Sequence, residues 1–238
     1  MLCEISKNIT VLELPLGNQS IFVFDNVFDN PGLIRRHAIE NRDKFKKPPL
    51  GSYPGHVMPF EDAAFGISQL FSGYLCKQYE LLADVKVNSG FSVVDMRPKD
   101  LQLRQRQPHT DPVPDFMDKF DTQYACVFYL FKEQKLGGTG FYAYKNNDMV
   151  KDWLRDQEKF MMENPKCHGE FQGYIHKSNA FYEKLLTVGA EYNRMVVYPS
   201  NILHSGDIAH PELLTEDLES GRLTISSFIL ANKNNEHG

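Results

Sequence analysis

The chain has 238 residues, of which 42% are hydrophobic and 24% are charged. This composition is ordinary for a globular protein and excludes collagen, coiled-coil and disordered chains. The 31 acidic residues outnumber the 26 basic ones, which gives a formal net charge of −5. Nucleic-acid-binding proteins usually need a basic face, so this balance argues against a nucleic acid as the partner.

The longest apolar run, residues 124–131, is far shorter than the roughly 20 residues of a membrane span. The first residues include Glu4 and Lys7 and lack the pattern of a secretory signal. The four cysteines are widely scattered and form no CxxC pair, which argues against a zinc knuckle or a disulfide framework. We therefore expect a cytoplasmic protein with reduced thiols and no membrane contact. The sequence carries no signal for an oligomeric state.

The first 84 residues predict a mixed α/β segment. Residues 20–25 have the β-branched and aromatic content of a strand. A cap candidate, Asn30, precedes Pro31 and predicts a helix that continues towards Phe45. The prolines and glycines of residues 47–55 predict a loop, and residues 61–82 have helical periodicity.

From Val85 onwards the pattern is mainly β. Between the strands, the balanced charges and spaced aromatic residues of 145–190 predict helices that cover a sheet. Short strands with glycine turns indicate a sandwich or double-sheet jelly roll, so the predicted fold is mainly β with helices. The N-terminal segment 1–84 would pack on a β core of residues 85–232, with the helical insertion at 145–190. The predicted strands are 91–96, 101–105, 124–131, 141–144, 194–198 and 222–230.

One group of residues has the pattern of a metal site. His109 and Asp111 are two positions apart in an extended segment, so their side chains point to the same side. His204 follows another predicted strand and the turn 199–201. Two imidazoles and one carboxylate on one face of a metal are typical of non-haem Fe(II) oxygenases, whereas calcium and magnesium prefer all-oxygen ligands.

Each of these residues also has a simpler interpretation. His109 could end a strand, with Asp111 and Pro112 forming a turn, and His204 could be a turn residue. His210 is a rival metal ligand, since it lies near a predicted loop at 211–220.

The motifs also occur in a characteristic order, and this order resembles the 2-oxoglutarate/Fe(II)-dependent oxygenases, most closely their prolyl-hydroxylase-like branch. The resemblance covers a little over half of the chain, from about Val85 to Leu230. The N-terminal third resembles the leading segment of an uncharacterised bacterial subgroup. The matching motifs are QPHTD at 107–111, CVFYL at 126–130, GGTGF at 137–141, RMVVYPSNILH at 194–204 and GRLTIS at 221–226.

The resemblance implies a double-stranded β-helix, which is a cupin-like jelly roll, and an enzyme that uses Fe(II), 2-oxoglutarate and O2. It implies that a small-molecule or peptide substrate is hydroxylated while 2-oxoglutarate is converted to succinate and CO2. His109, Asp111 and His204 would be the metal ligands. Arg222 would pair with the distal carboxylate of 2-oxoglutarate, because a guanidinium matches a carboxylate, and Thr224 and Tyr129 would add hydroxyl groups.

Other functions remain open from the residues alone. Tyr129 could be a core aromatic residue and Arg222 could form a surface ion pair. The same three ligands could hold zinc or nickel in a binding protein without oxygenase activity, or serve a cupin isomerase. Arg222 discriminates between these hypotheses, since a site without an acidic co-substrate has no need of its guanidinium.

Overall fold

The computed structural model describes residues 2–48, 53–76, 86–112 and 122–232. The described strands are β1 (Thr10–Leu16), β2 (Gln19–Asp25), β3 (Gly55–Pro59), β4 (Lys86–Val94), β5 (Thr122–Tyr129), β6 (Gly138–Tyr144), β7 (Tyr182–Val188), β8 (Met195–Pro199), β9 (Leu203–Asp207) and β10 (Arg222–Ala231). The α-helices are α1 (Pro31–Glu40), α2 (Glu61–Phe71), α3 (Asp148–Arg155) and α4 (Gln157–Glu163). A π-helical turn spans Ser72–Cys76, and 3-10 turns span Arg42–Lys44, Pro98–Asp100, Leu103–Arg106, Gln134–Leu136, Pro165–Phe171 and Pro211–Leu213.

These strands form two antiparallel sheets in the described part of the chain. The large sheet has the order β1-β2-β8-β5-β10-β4-β3, and the small sheet has the order β7-β6-β9. The protein is therefore mainly β with helices, as predicted. The strands β1, β2 and β3 come from residues 1–84 and are hydrogen-bonded into the same large sheet as strands of residues 85–232. The division of the chain between residues 84 and 85 stays a prediction.

The chain passes repeatedly from one sheet to the other. After β4 in the large sheet, His109 forms an isolated antiparallel bridge to β9 of the small sheet. The chain then returns to the large sheet as β5, forms β6 and β7 in the small sheet, and alternates through β8, β9 and β10. Residues that are far apart in sequence therefore face each other across the space between the sheets.

The outer face of the large sheet is covered by α1 and α2. Helix α2 buries Ala63, Gly66, Ile67 and Leu70, whose spacing is that of one helical face. They pack in one apolar core with the outward-facing residues of the large sheet. A Cβ at Gly66 would lie 2.7 Å from the backbone oxygen of Cys3, so glycine allows the helix to approach the N-terminal segment.

The inner face of the large sheet looks towards the small sheet, and its apolar side chains, such as Val94 and Val196, form a second core there. Its strand β10 differs, because it carries polar side chains on this face. Along β10, Arg222, Thr224 and Ser226 alternate with Leu223 and Ile225, because successive side chains of a strand point to opposite faces. The side chains of Leu223 and Ile225 belong to the outer core. The polar side chains therefore lie on the inner face.

Most of the strand predictions are confirmed, with ends shifted by a few residues. The strands β2, β4, β5, β6, β8 and β10 occupy predicted strand regions. Helix α1 is confirmed as well. The predicted helix of residues 61–82 is confirmed as α2 up to Phe71, and its last part lies outside the described residues.

Two of the predictions from periodicity are wrong. Residues 101–105 do not form a strand, because the side chains of Gln102 and Gln105 close a capping box around the 3-10 turn Leu103–Arg106. The segment 145–190 is helical only in its first part, since β7 occupies its end. Burial alternates along β7, which pairs with β6, and Leu185 faces outward although its hydrophobicity suggested a helix over the sheet.

The helical part of this segment forms a core of its own. The fully buried ring of Trp153 stacks on Phe171 at a centroid distance of 5.0 Å and also contacts Phe160 and Phe181. In the part of the chain that the structure describes, no helix is both long and apolar enough to cross a membrane.

Candidate metal centre

The backbone brings the three predicted metal ligands together. His109 and His204 are directly paired: the amide of His109 donates to the His204 carbonyl at 3.0 Å, and the reverse bond is 2.9 Å. The amide of Asp111 donates to the Ser200 carbonyl at 3.0 Å. Directly paired residues point to the same face, and so do residues two apart in an extended chain. The three side chains therefore converge although they belong to two distant segments.

The resulting group has the dimensions of a metal site. One ligand atom from each of His109, Asp111 and His204 lies within 4.8 Å of the others. The Nε2 atom of His204 is 3.6 Å from Oδ2 of Asp111. Ligand atoms bound at about 2.0–2.2 Å from one metal ion lie about 3 Å from one another. Small side-chain movements are enough to close this group around an ion.

Two details favour a cation over a purely structural role. The Nδ1 atom of His204 is 2.9 Å from the carbonyl oxygen of Ile202, an acceptor, which keeps the proton on Nδ1 and leaves the lone pair of Nε2 free. The Oδ2 atom of Asp111 is buried and has no hydrogen-bond partner among the described residues. An unsatisfied buried polar atom costs about 1–3 kcal/mol, and a bound cation would remove that cost.

The electrostatics of the group point the same way. Burial lowers the pKa of His204 to about 4, against the opposing hydrogen bond to Ile202. Burial raises the pKa of Asp111 to about 6, although His109 lowers it. Burial, and to a lesser extent His204, likewise lower the pKa of His109 to about 4. Both imidazoles are therefore neutral at neutral pH, as metal ligands must be, and the carboxylate has no positively charged neighbour in the group. His109 is exposed while His204 is buried, so the group opens to solvent on the His109 side.

Arg222 is a buried cation on the inner face of the large sheet. It is 4% exposed, and its Nε and Nη2 atoms donate to the carbonyl oxygens of Gly137 and Gly138 at 3.2 and 3.0 Å. Its guanidinium lies 5.6 Å from the centre of the Phe131 ring. No carboxylate forms an ion pair with it in the described residues. A buried charge without a counter-charge is costly, so this guanidinium is a candidate position for binding an anion.

The local backbone depends on Gly137. Its φ of +89° is in a region that favours glycine, and a Cβ there would lie 2.1 Å from the carbonyl oxygen of Asp207. Glycine therefore allows this turn to run against β9 while its carbonyl accepts a hydrogen bond from Arg222.

The guanidinium and the three candidate ligands face the same space. A Cβ at Gly206 would lie 3.7 Å from Nη2 of Arg222. Gly206 is two residues after His204 on β9, so both positions point to one side at a separation of about 6.6–6.8 Å along the strand. Arg222 and the candidate ligand His204 therefore lie on the same side of β9.

The remaining predicted site residues lie beside Arg222. Thr224 is paired with Tyr129 on β5 and with Ser92 on β4, so the three side chains share one row of the inner face. The Tyr129 hydroxyl is 2.7 Å from Oγ1 of Thr139, and Oγ1 of Thr224 is 2.8 Å from Oγ of Ser92. Both predicted hydroxyls are thus near the guanidinium and hydrogen-bonded to protein groups.

His210 is not brought into the group. Its Nδ1 atom lies 3.0 Å from Oε1 of Glu212, and the side chains of both residues are at least half exposed. The structure therefore places this rival ligand at the surface, in a local pair with its neighbour.

Two residues without a predicted site role are linked to the group in the structure. The ring of Tyr198 is 4.7 Å from the His204 ring. Gln107 is buried: its amide nitrogen donates to Oε1 of Gln157 at 3.1 Å, and its amide oxygen accepts from the Tyr182 hydroxyl at 2.8 Å. Alternation along β8 could have placed Tyr198 on the inner face, but nothing local indicated the contacts of Gln107.

The fold and this geometry define a mainly β protein with a candidate metal centre beside a buried cation. The profile of a family of unknown function (DUF6445) matches residues 6–229, and the chain belongs to that family. No curated protein matches the chain significantly.

Solved structures with a similar fold are distant. HygX from Streptomyces hygroscopicus, with nickel and 2-oxoglutarate bound, is 10% identical at a TM-score of 0.44, over 88% of this chain and 82% of that one. An N-substituted L-amino acid dioxygenase from Burkholderia ambifaria is 11% identical at a TM-score of 0.39, over 95% of this chain and 99% of that one. Similarity at this level leaves the function to be argued from the residues of this chain.

Proposed function

We propose that the protein is an Fe(II)- and 2-oxoglutarate-dependent oxygenase that hydroxylates a small-molecule or peptide substrate. His109, Asp111 and His204 are the proposed metal ligands, and Arg222 is the proposed partner of the distal carboxylate of 2-oxoglutarate. The observation that carries the proposal is the buried guanidinium, which has no acidic partner among the described residues and shares one space with the three ligands. A metal site without an acidic co-substrate would not need it.

The donor set supports iron as the metal. Two imidazoles and one carboxylate on one face leave open positions, and this arrangement suits non-haem Fe(II). The free Nε2 of His204 and the unpartnered oxygen of Asp111 fit a bound cation. When bound, Fe(II), 2-oxoglutarate and O2 supply the oxidising chemistry, in which one oxygen atom goes to the substrate and the other to succinate as CO2 is released.

The protein's own residues would bind, orient and exclude water. Arg222 would hold the distal carboxylate through its planar fork, and the Phe131 ring and the two glycine carbonyls fix the direction of that fork. Thr224 and Tyr129 would line the same end of the site. The exposed side of His109 would be the side from which substrate approaches.

The order of the strands supports a jelly roll. From β4 to β10 the chain alternates between two antiparallel sheets, and the His109 bridge is one of its visits to the small sheet. Such alternation is typical of a double-sheet jelly roll. We propose further that the fold is a double-stranded β-helix whose core begins near residue 85. We also propose that the protein belongs to the prolyl-hydroxylase-like branch of these oxygenases. A cytoplasmic location also belongs to the proposal, since Cys3, Cys126 and Cys167 are free thiols.

The first experiment is a titration of the Fe(II)-loaded protein with 2-oxoglutarate in the absence of O2, followed by visible spectroscopy. We expect a weak metal-to-ligand charge-transfer band in the green. The band should be lost in His204→Ala and weakened in Arg222→Ala, and admission of O2 should yield succinate in the wild type and none in His204→Ala. Bound iron without this band would reject the co-substrate site and favour a metal-binding jelly roll without oxygenase activity.

A further inference from the structure

The side chain of Gln123 lies at the end of the inner face that is remote from Arg222. Gln123 is the second residue of β5, and Tyr129, which lies beside Arg222, is the last. Six residues of an extended strand span about 20 Å, so the two ends of β5 are well separated. Ala125 of the inner core is two residues after Gln123, which places the glutamine side chain on the same inner face.

Gln123 is connected to the candidate metal group through its backbone and its side chain. The amide of Ser200 donates to the Gln123 carbonyl oxygen at 3.0 Å, and the Ser200 carbonyl oxygen accepts from the Asp111 amide at 3.0 Å. The side-chain nitrogen Nε2 of Gln123 donates to the carbonyl oxygen of Pro112 at 3.4 Å. The glutamine amide therefore lies beside the segment that carries Asp111.

The candidate metal ligands lie between Gln123 and Arg222. The His204 ring is 4.7 Å from the ring of Tyr198, and Tyr198 is paired with Ala125, two residues after Gln123. From His204, strand β9 continues towards the guanidinium. An acidic ligand held by Arg222 would occupy one side of the metal group, and Gln123 borders the other side.

The amide oxygen of Gln123 is a buried acceptor without a donor. The residue is 6% exposed, and its Oε1 atom has no hydrogen-bond partner among the described residues. The bond from Nε2 to Pro112 fixes the direction of the amide, because exchange of its two atoms would bring two acceptors together. An unsatisfied buried acceptor is costly, so this oxygen is a position that a donor would fill.

The proposed co-substrate cannot supply that donor. At neutral pH, 2-oxoglutarate is a dicarboxylate with a keto group, and all of its oxygens are acceptors. O2 carries no hydrogen either. The other buried acceptor at this end is Oδ2 of Asp111, which a bound cation would satisfy. An N–H or O–H group of the primary substrate is the ligand group that fits Gln123.

We propose that Gln123 is a substrate-binding residue whose amide oxygen accepts a hydrogen bond from the primary substrate. This inference rests on the proposed function, because a separate primary substrate is required only if the site holds 2-oxoglutarate as its co-substrate. The substrate is then a polar compound with a hydroxyl, amide or ammonium group that enters beside Asp111, and not an unfunctionalised hydrocarbon.

The first part of the test determines whether the acceptor is unsatisfied in the ligand-free protein. Gln123→Met removes it, and Gln107→Met is the matched control, since Gln107 is 8% exposed and both of its amide atoms are hydrogen-bonded. Circular dichroism follows thermal unfolding of the full chain in EDTA. We expect Gln107→Met to lower the Tm by about 5 °C, because its partners lose their bonds, and Gln123→Met to leave the Tm unchanged or raise it. An equal loss in both variants would overturn the inference, because a buried water or protein group would then already bond the Gln123 oxygen.

The second part compares small compounds that differ in their hydrogen-bond donors. The probes are acetamide with dimethylacetamide, and ethylene glycol with dimethoxyethane. The protein is loaded with Mn(II) and 2-oxoglutarate, and the paramagnetic broadening of each compound's proton NMR lines reports binding beside the metal. In the wild type, we expect the donor compound of each pair to be broadened at least about threefold more than its methylated partner. This difference should disappear in Gln123→Met, whose affinities for Mn(II) and 2-oxoglutarate should match those of the wild type.

The outcomes separate the inference from the proposed function. Equal broadening within both pairs in the wild type, or a difference that persists in Gln123→Met, would overturn the inference and leave the proposed function intact. A loss of Mn(II) affinity in Gln123→Met would also overturn it, because the amide oxygen would then be a metal ligand. Wild-type protein that binds Mn(II) but shows no binding of 2-oxoglutarate by calorimetry would reject the proposed function, and the inference with it.

Discussion

The two sides of strand β10 in the large sheet contain different kinds of buried side chain. On β10, Leu223 and Ile225 are fully buried against the helices, whereas Arg222 and Thr224 are almost equally buried on the face towards the small sheet. Buried apolar side chains stabilise the fold, but a buried charge without a partner does not. We attribute the polar inner side of β10 to the proposed ligand binding, and its apolar outer side to stability.

The largest expected effect concerns stability on the outer face. Ile225→Ala should lower the free energy of unfolding by about 2–5 kcal/mol, because it leaves a cavity in a closely packed core. The neighbouring Thr224→Val keeps the shape of its side chain on the inner face and should cost less than about 1.5 kcal/mol. Urea denaturation of both variants measures the contrast. Equal losses would mean that the two faces do not differ in the way proposed.

The second prediction separates binding from stability at the inner face. Arg222→Leu should change the free energy of unfolding by less than about 1 kcal/mol, since it removes a buried charge along with two hydrogen bonds. The same change should weaken 2-oxoglutarate binding by about 100-fold or more, because a ligand carboxylate would lose its charged partner.

Arg222→Lys is the matched control for that prediction. It keeps the positive charge but loses the planar fork, so its affinity should lie between those of the wild type and Arg222→Leu. Calorimetry with 2-oxoglutarate and urea denaturation provide the two readings. A large loss of stability with unchanged ligand affinity in Arg222→Leu would make the arginine a structural residue.

A smaller effect on metal affinity is expected at Gln107, which connects the helical segment to the chain next to His109. Gln107 lies two residues before His109 and is bonded to Gln157 of α4 and Tyr182 of β7. Gln107→Met should weaken Mn(II) binding by about tenfold, the lower end for groups that orient metal ligands. Gln172→Met, at an exposed glutamine, is the control and should leave Mn(II) affinity unchanged. An equal effect of the two substitutions would show that the contacts of Gln107 do not position His109.

The smallest expected effect is a difference in thiol reactivity. Burial raises the pKa of Cys3 to about 12, with a further contribution from Asp62, and burial also raises the pKa of Cys126. Both thiols lie in the outer core, whereas Cys167 is only partly buried. Iodoacetamide at pH 8 should therefore label Cys167 well before Cys3 and Cys126, as read by mass spectrometry. Labelling at equal rates in the folded protein would contradict the packing of the outer core, and unfolded protein serves as the positive control.

Local patterns predicted most of the central strands because each is short, apolar and bounded by turn residues. The same reasoning was wrong for β7, where Leu185 and Leu186 imitate a helical face but alternate across an edge strand. It also missed β1, β3 and β9. Strand β9 contains Ser205, Gly206 and Asp207, so its extended form depends on hydrogen bonds to β6 and not on the propensity of its residues.

The sequence by itself determined which residues could bind a metal and an acidic ligand. The amino-acid sequence shows the two-residue spacing of His109 and Asp111 and the downstream His204. It also shows Arg222 at the start of the last strand. These features depend on side-chain chemistry and on the two-residue period of an extended backbone.

The tertiary structure alone decided how those residues are arranged. The backbone bridge between His109 and His204 joins two segments that are far apart in the sequence. Gly206, two residues after His204, lies beside the guanidinium of Arg222. Such contacts join residues that are distant in sequence, and the free energy that selects them comes from packing the two sheets together.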